Sequence, residues 1–262
     1  MLKEKSKILL CFILSLTLFY GCLSKKSGPI NNNQDKNFEN YLMNASMIVS
    51  KMNQDEKVGE MIMPTYAFLS SSATLTVSQI ITKNKLGGVL MAGNDSTAEM
   101  TSLSFKTMAG QFKNAYAGPK GTSILLGTDS VHGNQHAIDC VLFPQNIGLG
   151  ATHDLSLAKQ IGAWTAYQVR ETGFNWGYAP TIAIAHNYRW GRTYESFSQD
   201  PSLVEQIAYN YILGMQQMGN DGKISGILAT AKHFLGDGNT TSGMDEGNTI
   251  ANSLDALWQT NG

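Results

Sequence analysis

The chain has 262 residues, of which 42 % are hydrophobic and 15 % are charged, and its formal net charge is −1. This composition is typical of a globular protein with a sizeable core. It excludes a disordered chain, which would carry more charge and fewer apolar residues. The nearly balanced charge gives no electrostatic reason to expect a nucleic-acid partner. The length allows one large domain or two small ones.

The first 22 residues have the pattern of an export signal. A mostly basic heptapeptide, MLKEKSK, is followed by the apolar run ILLCFILSLTLF, which is too short to span a bilayer comfortably. The tetrapeptide FYGC at the end of this run resembles the lipobox of bacterial lipoproteins. That resemblance implies cleavage after Gly21 and attachment of a lipid to Cys22. An ordinary signal peptide and an uncleaved anchor are the alternatives.

The chain therefore divides into three predicted parts. Residues 1–21 are expected to be a lipoprotein signal peptide, residues 22–37 a flexible polar tether, and residues 38–262 a folded domain. This division predicts an exported protein that its lipid anchors to a bacterial membrane, on the periplasmic or outer-membrane-facing side.

The cysteines and histidines do not indicate a metal site. Cys11 lies in the signal and Cys22 is the candidate for lipidation, so the folded part keeps only Cys140 and cannot form an internal disulfide. No cluster of cysteine and histidine has the spacing of zinc ligands. The GNQ between His132 and His136 is typical of a loop, which would not align the two rings on one metal. We expect no metal and no other cofactor.

Helices and strands alternate from about residue 38 onwards. Asp154 and Asp200 are predicted helix N-caps, with Pro201 at the first helical position and Gly173 at a helix end. The stripe Val204, Ala208, Tyr211, Met215 and Met218 predicts a buried helix face. The predicted elements are helices over 41–52, 75–85, 98–116, 154–173 and 200–219 and apolar strands over 86–93, 122–133 and 226–231.

This alternation predicts an α/β fold with a parallel sheet and crossover helices. The strands are apolar throughout, which indicates that both faces of the sheet are covered. An open doubly wound sheet and a closed β/α barrel are the two options. No GxGxxG or GxxxxGK[ST] motif opens a helix, and this weakens the case for a nucleotide-dependent α/β enzyme.

Polar residues follow three apolar segments at the points where those segments end. Asp129 follows ILLGT, Arg192 lies in RWGR after NWGYAP, and Lys232 and His233 follow ILATA. In a β/α barrel the carboxyl ends of the strands meet at one rim, where the active site forms. We therefore expect these four side chains in a single pocket. A carboxylate, two cations and an imidazole together favour a polyhydroxylated ligand.

Aromatic residues in the same loops offer a second contact with such a ligand. Trp176, Trp190 and Tyr194 are predicted to pack against a sugar face. A phosphate ligand is less favoured, because it would call for several backbone N–H groups at a helix start and fewer carboxylates.

Each polar residue also has a purely structural interpretation. Asp129 could cap a turn, and Arg192 could form an ion pair with Glu195 or Asp200, alone or in addition to binding a ligand. Asp237, Asp245 and Glu246 could simply satisfy their loop. The neighbouring Lys232 and His233 are harder to explain by packing, because burying an unpaired lysine is costly.

Four long segments resemble glycoside hydrolase family 3 in sequence, order and spacing. They are LGTDSVHGN, FPQNIGLGATHD, GYAPTIAIAHNYRWGRTYESFSQDP and AKHFLGDGNTTSGMDEGNT, and the similarity extends from about residue 40 to the last residue. The chain is most similar to the β-glucosidase and exo-β-glucanase branch. The resemblance implies a (β/α)8-like TIM barrel and retaining hydrolysis of terminal non-reducing β-D-glucosyl residues from β-glucosides and β-glucans.

The resemblance also implies substrate-binding roles for five residues. Asp129 matches the aspartate that holds hydroxyls of the terminal glucose, and Arg192 matches an arginine of the same subsite. Lys232 and His233 match the neighbouring lysine and histidine, and Glu246 matches a glutamate that supports the pocket.

The sequence departs from the family pattern in two places. HNYRWGR stands where RDPRWGR is usual, so that Asn187 and Tyr188 replace an aspartate and a proline. No stretch matches the S-D-W motif of the family's nucleophile, and the family's general acid lies further on, in a second domain. Because retaining hydrolysis needs two carboxyl groups about 5 Å apart, we expect both catalytic groups beyond residue 262. This chain would then be an inactive fragment whose barrel is incomplete at the C-terminus, with five or six of eight strands.

Two rival functions remain at this point. The β-N-acetylhexosaminidase branch of the family carries KHFPGHG, whereas this chain reads KHFLGDG with Asp237 in place of the histidine, which favours a glucoside. A non-catalytic surface lipoprotein that captures glucans is the second rival. Linkage preference and xylosidase activity stay open.

Overall fold

The computed structural model describes residues 32–91, 100–217, 225–251 and 253–261. The chain divides into two compact units, Met1–Lys51 and Met52–Gly262. The first unit contains helix α1 (Asn32–Lys51).

Helix α1 covers the helix that the sequence predicted over 41–52, up to Lys51, and begins inside the predicted tether. The reason is local, because residues 32–37 contain no proline or glycine that would stop the helix from extending towards its N-terminus. The predicted signal peptide, Cys22 and the rest of the tether lie outside the described residues.

The second unit contains the helices and strands predicted from residue 75 onwards, with shifted ends. Its elements are α2 (Gln54–Glu60), α3 (Tyr66–Ser70), α4 (Val77–Asn84), β1 (Gly88–Met91), α5 (Ser102–Ala115), β2 (Leu125–Thr128), α6 (Asn146–Thr152), α7 (Leu155–Glu171), β3 (Trp176–Gly177), α8 (Pro201–Gln216), β4 (Leu228–Ala229) and α9 (Leu254–Asn261). Short 3-10 helices occupy Thr193–Glu195, Asp237–Asn239 and Thr241–Gly243.

The predicted caps of the two long crossover helices are present. Asp154 Oδ1 accepts a hydrogen bond from the Leu157 N–H at 2.9 Å and starts α7. Asp200 Oδ1 accepts from the Ser202 N–H at 2.9 Å and starts α8, whose first residue is Pro201. Gly173 follows α7 with φ +84°, a left-handed conformation that glycine adopts without strain. These caps fix where each helix leaves the sheet.

The four strands form one parallel sheet in the order β1-β2-β3-β4. This confirms the predicted α/β class with a parallel sheet. A bridge from Thr65 to Leu90 adds one further parallel contact at the outer edge of β1. A second parallel bridge, from Thr181 to Lys232, lies beyond the ends of β3 and β4. Within the described residues the sheet therefore has four strands, fewer than the five or six strands expected. Two of the strands, β3 and β4, have only two residues each.

The core lies where α7 and α8 pack against each other and against the sheet. A Cβ added at Gly162 would lie 2.2 Å from the Tyr211 carbonyl oxygen, and one at Gly214 would lie 2.0 Å from the Lys159 carbonyl oxygen. The two helix backbones therefore meet directly. The predicted stripe is buried at Val204, Ala208, Tyr211 and Met215, whereas Met218 lies outside the described residues.

No helix in the described part of the chain is both long and apolar enough to cross a membrane.

Candidate active site

An ion pair joins the ends of two strands. Asp129 follows β2 directly, and Lys232 follows β4 by three residues. Lys232 Nζ donates a hydrogen bond to Asp129 Oδ1 at 2.9 Å, and the two side chains are only 12 % and 21 % exposed. The Lys232 backbone is fixed as well, because its N–H donates to the Pro180 carbonyl at 3.1 Å and its carbonyl accepts from Ile182 at 2.7 Å. Both side chains are thus held at the carboxyl edge of the sheet, as the sequence predicted.

Arg192 is clamped by a neighbouring carboxylate. Its Nε donates to Glu195 Oε1 at 2.9 Å and its Nη2 donates to Glu195 Oε2 at 2.6 Å, which is a two-pronged ion pair. Thr181 Oγ1 donates to Glu195 Oε2 at 3.2 Å, and the side chain of Asn146 donates to the Glu195 carbonyl at 2.8 Å. The hydrogen bonds that Arg192 donates to Glu195 raise the pKa of the guanidinium above its usual value. Of the two carboxylates considered as partners, Glu195 is the one that pairs with Arg192, while Asp200 caps α8.

His233 lies between the carboxylate of Asp237 and Arg192 Nη1, the guanidinium nitrogen that Glu195 does not bind. His233 Nδ1 is 2.7 Å from Asp237 Oδ2, and His233 Nε2 is 3.3 Å from Arg192 Nη1. The imidazole therefore links the KHFLGDG loop to the RWGR segment.

These side chains line two neighbouring cavities instead of the single pocket that the sequence predicted. Asp129, Lys232 and Arg192 line a cavity of about 260 Å³. His233 and Glu246 line a second cavity of about 430 Å³, and Arg192 contributes to both. Between the two cavities, the Arg192 guanidinium contacts Glu195 through Nη2 and His233 through Nη1.

Glu246 lies apart from the other predicted site residues. It is exposed, has φ +56°, and sits on the wall of the second cavity beside Gly247 and Asn248. The structure brings it near His233 across that cavity and does not place it on the wall that Asp129 and Lys232 line.

Of the three aromatic residues predicted to contact a sugar, one lines a site cavity. Tyr194 lines the cavity of Asp129. Trp190 is only 2 % exposed and packs with Ala183 and Ala185, so it cannot stack on a sugar, and its indole N–H donates to Asp245 at 3.3 Å. Trp176 is not on either cavity wall, and its indole N–H donates to Thr230 Oγ1 at 2.7 Å. The sequence could not show that Trp190 is buried or that Trp176 lies away from both cavities.

His132 and Gln145 also belong to the site, although they were not among the predicted site residues. Both line the cavity of Asp129, and the side-chain amide of Gln145 lies 3.2 Å from His132 Nε2. His132 Nδ1 donates to the Phe143 carbonyl at 2.7 Å. One signal was available, because His132 follows Asp129 by three residues at the same strand end.

Tyr178 supports the site from beneath. A Cβ at Gly127 in β2 would lie 2.0 Å from the Tyr178 hydroxyl oxygen, so glycine is required where the ring crosses the strand. Burial raises the pKa of the Tyr178 phenol above its ordinary value, and the negative charge of Asp129 adds to this effect. The phenol therefore stays neutral under Asp129.

A larger cavity lies elsewhere. It has a volume of about 620 Å³ and its wall includes Trp164, Tyr167 and the free thiol of Cys140. It does not include any of the five predicted substrate-binding residues. In the described residues, no three side chains of His, Cys, Asp or Glu come together as a metal site.

A family model decides which class of protein carries this arrangement. Residues 53–260 match the Glycosyl hydrolase family 3 N terminal domain. The chain belongs to glycosyl hydrolase family 3. The resemblance drawn from the four sequence segments is thereby confirmed, and the family match covers the strand ends that carry Asp129, Arg192, Lys232 and His233.

Relatives within family 3 include several β-glucosidases. The lysosomal beta glucosidase of Dictyostelium discoideum is 27 % identical over 219 residues, which is 76 % of this chain and 26 % of the relative. Beta-glucosidase B of Emericella nidulans is 40 % identical over 97 residues, or 37 % of this chain and 11 % of the relative. The chain thus spans about a quarter or less of the length of these relatives.

Solved structures of this family superpose on the chain. The exo-1,3/1,4-beta-glucanase ExoP of a Pseudoalteromonas species, solved as its Q683A mutant, has a TM-score of 0.72 at 36 % identity. The match covers 82 % of this chain and 35 % of that chain. A β-glucosidase from Listeria innocua, solved as its D270A mutant, has a TM-score of 0.61 at 21 % identity, with coverage of 82 % and 29 % respectively, and it supports the fold alone.

Proposed function

We propose that this chain holds the terminal glucose of a β-glucoside or β-glucan for retaining hydrolysis by a longer family 3 enzyme. One observation carries the proposal: Lys232 and Asp129 meet at 2.9 Å across the ends of β4 and β2, and Arg192 lines the same cavity. The similar proteins support the proposal, since they are β-glucosidases and an exo-1,3/1,4-beta-glucanase.

The cavity of Asp129 has the chemistry that a sugar ring requires. The carboxylate of Asp129 accepts hydrogen bonds from hydroxyls, and the cations of Lys232 and Arg192 donate to hydroxyl oxygens. Tyr194 on the cavity wall offers an aromatic surface for the C–H groups of the ring. Because Lys232 and Arg192 are each paired with a carboxylate, the site keeps its cations in place without ligand. Preorganised donors of this kind strengthen contacts that form in the transition state.

We also propose that the sheet is the first part of a (β/α)8-like TIM barrel. The four strands in the described part of the chain follow one another in chain order, without the reversal that a doubly wound sheet shows. The site residues lie at the carboxyl ends of these strands, where barrel enzymes carry their active sites. The nucleophile and the general acid of retaining hydrolysis are assigned to parts of the enzyme outside residues 1–262, so we expect no turnover by this chain.

The membrane anchor is a separate proposal that rests on the sequence. Cleavage after Gly21 and lipidation of Cys22 would attach the enzyme to a bacterial membrane, on the periplasmic or outer-membrane-facing side. Radiolabelled palmitate in the producing bacterium tests this proposal. Label should enter the wild-type protein and be absent from Cys22→Ser, whereas Cys140→Ser, which removes the other cysteine of the mature chain, should leave labelling unchanged. Equal labelling of the wild type and Cys22→Ser would contradict the anchor.

A sugar titration tests the binding function. Isothermal titration of the chain with laminaribiose should show saturable binding, and Asp129→Asn should weaken it by about tenfold or more, which is about 1.4 kcal/mol. Glu205→Gln is the matched control, because that carboxylate is exposed on α8 and lies outside both site cavities. Unaltered affinity in Asp129→Asn would overturn the assignment of the cavity.

The same titration separates the rival functions. Parallel titrations with N-acetylglucosamine and with xylose should give weaker binding than glucose. Tighter binding of N-acetylglucosamine would favour the β-N-acetylhexosaminidase. Tighter binding of xylose would favour a β-xylosidase. A β-xylosidase of Formosa agariphila is 30 % identical to this chain over 125 residues. Assays of the longer enzyme with aryl β-glucoside distinguish hydrolysis from a glucan-binding lipoprotein, which would bind the sugar without cleaving it.

A further inference from the structure

Asp237 contacts His233 from a buried and fixed position. It begins the 3-10 helix Asp237–Asn239, its side chain is 12 % exposed, and its Oδ2 lies 2.7 Å from His233 Nδ1. The loop around it is held tightly, because a Cβ at Gly238 would lie 2.1 Å from the Ile184 carbonyl oxygen. The Gly238 carbonyl also accepts a hydrogen bond from the Asn187 N–H at 3.1 Å. Asp237 is therefore a fixed partner of the imidazole and not a mobile surface carboxylate.

The partners of His233 determine where its proton lies. A guanidinium carries only donors, so Arg192 Nη1, 3.3 Å from His233 Nε2, requires Nε2 to be the acceptor. A carboxylate carries only acceptors, so Asp237 Oδ2 requires Nδ1 to carry the proton. The hydrogen bonds are consistent with one form of the ring, the neutral imidazole protonated on Nδ1.

We propose that Asp237 is a positioning residue that holds His233 in this tautomer, so that Nε2 presents a lone pair to the junction of the two cavities. In the present structure that lone pair accepts a hydrogen bond from Arg192 Nη1. This bond fixes the one guanidinium nitrogen that Glu195 does not bind. The orientation of Arg192 therefore depends on carboxylates at both ends, Glu195 directly and Asp237 through the imidazole.

His132 shows the same arrangement with a different acceptor. Its Nδ1 donates to the Phe143 carbonyl at 2.7 Å, and its Nε2, at 3.2 Å from the Gln145 amide nitrogen, accepts from that amide. Both imidazoles near the site thus carry the proton on Nδ1. Only His233 depends on a side chain for this, which makes the tautomer sensitive to a single substitution at Asp237.

The inference rests on the proposed function in one respect, namely that Arg192 and His233 contact a sugar. Its test does not depend on sugar binding, because nitrogen-15 spectra of the imidazole rings show directly which nitrogen is protonated. The wild-type chain should show His233 protonated on Nδ1. Asp237→Ala should move the proton to Nε2 in part or all of the molecules, because Nδ1 then lacks its acceptor. Asp237→Asn should keep it on Nδ1, since the amide oxygen can still accept.

Two controls separate positioning from a general loss of charge or structure. Asp245→Asn removes another carboxylate whose charge acts on Arg192, and it should leave the His233 tautomer unchanged. His132 serves as an internal reference in the same spectra, and its tautomer should be unchanged in every Asp237 variant.

Laminaribiose affinity gives the second readout. Asp237→Ala should weaken binding by about tenfold, and Asp237→Asn should restore it to within about threefold of wild type, because Arg192 regains its acceptor. A wild-type His233 protonated on Nε2, or an unchanged tautomer in Asp237→Ala, would overturn the inference. Should Asp237→Ala fail to fold, the wild-type tautomer still decides. If wild type binds no laminaribiose at all, the proposed function is contradicted, while the tautomer measurement still decides the role of Asp237.

Discussion

At the scale of single residues, the site depends on charges that neutralise each other before any ligand arrives. Lys232 and Asp129 are mostly buried, and a buried ammonium without a partner is costly. Arg192 has the same requirement and meets it through Glu195. The ion pair of Arg192 with Glu195, which the sequence offered as a structural role, is therefore present. It fixes the guanidinium of the proposed sugar subsite.

A double-mutant cycle measures how strongly Asp129 and Lys232 are coupled. Asp129→Asn and Lys232→Met should each lower the free energy of unfolding by about 1–3 kcal/mol, because each leaves a polar partner poorly satisfied. The double variant should lose at least about 1 kcal/mol less than the sum of the two. Urea unfolding of the four proteins checks this prediction.

An exposed ion pair provides the control for that cycle. Lys106 and Glu171 lie 3.6 Å apart with side chains 59 % and 47 % exposed, so their coupling should be below about 1 kcal/mol. Additive effects at Asp129 and Lys232, to within about 0.5 kcal/mol, would show that the pair is no stronger than a surface pair.

At the scale of elements, the packing of α7 on α8 positions the loops that carry the site. Gly162→Ala would place a methyl group against the Tyr211 backbone and should lower the free energy of unfolding by about 1–3 kcal/mol or more. Gly110→Ala in α5 is the matched control, since a Cβ there meets nothing within 4 Å. That variant should stabilise the protein by up to about 1 kcal/mol. Thermal unfolding checks both, and equal destabilisation would contradict the direct contact of α7 and α8.

The buried phenol of Tyr211 couples the same packing to alkaline pH. Burial raises its pKa to about 12, and its hydroxyl donates to the Val131 carbonyl at 3.3 Å. Tyrosine in the unfolded chain loses its phenol proton near pH 10, whereas Tyr211 in the folded protein stays protonated to higher pH. Raising the pH above about 10 therefore favours the unfolded state. This contribution is complete below about pH 10 and is lost as the pH rises towards about 12.

Replacement of Tyr211 isolates that contribution. Tyr211→Phe should unfold with a shallower loss of stability between about pH 10 and about 12 than the wild type. Tyr209→Phe on the exposed side of α8 is the control and should retain the wild-type slope. Unfolding midpoints in urea across this pH range provide the measurement, and identical slopes for wild type and Tyr211→Phe would contradict the assignment.

The sequence predicted the elements better than their ends, for identifiable reasons. Asp154 and Asp200 gave correct helix starts because an aspartate cap acts locally. Helix α2 was missed although Asn53 and Glu56 form a reciprocal capping box, because the helix is too short to show a clear apolar period. The strands came out shorter than predicted, because an apolar run does not show where ladder hydrogen bonds stop.

The sequence predicted correctly those contacts of the site that the order of the strands alone brings about. Asp129 and Lys232 meet because parallel strands bring their carboxyl ends together, whatever lies between them. The burial of Trp190 and the role of Asp237 were not predictable, because both depend on how loops fold back on the sheet. The direction of the Arg192 side chain, which lines both cavities, was not predictable either, because no sequence pattern fixes it.

At the scale of the whole molecule, the chain has two candidate places for a sugar, the charged carboxyl edge of the sheet and a larger, mostly apolar cavity. The first includes Asp129, Arg192 and Lys232, and the second includes Trp164 and Tyr167. Volume alone would favour the second as a ligand site, whereas charge, burial and the convergence of strand ends favour the first. The two possibilities place a bound sugar against different residues.

Chemical-shift mapping with laminaribiose on the isotope-labelled chain decides between them most directly. We expect the largest shifts on Asp129, Arg192 and Lys232, and we expect Asp129→Asn to need about tenfold more sugar to reach half of the full shift, while the fold is retained. Shifts confined to Trp164 and Tyr167, or none at the strand ends at saturating sugar, would contradict the claim that these residues hold the glucose.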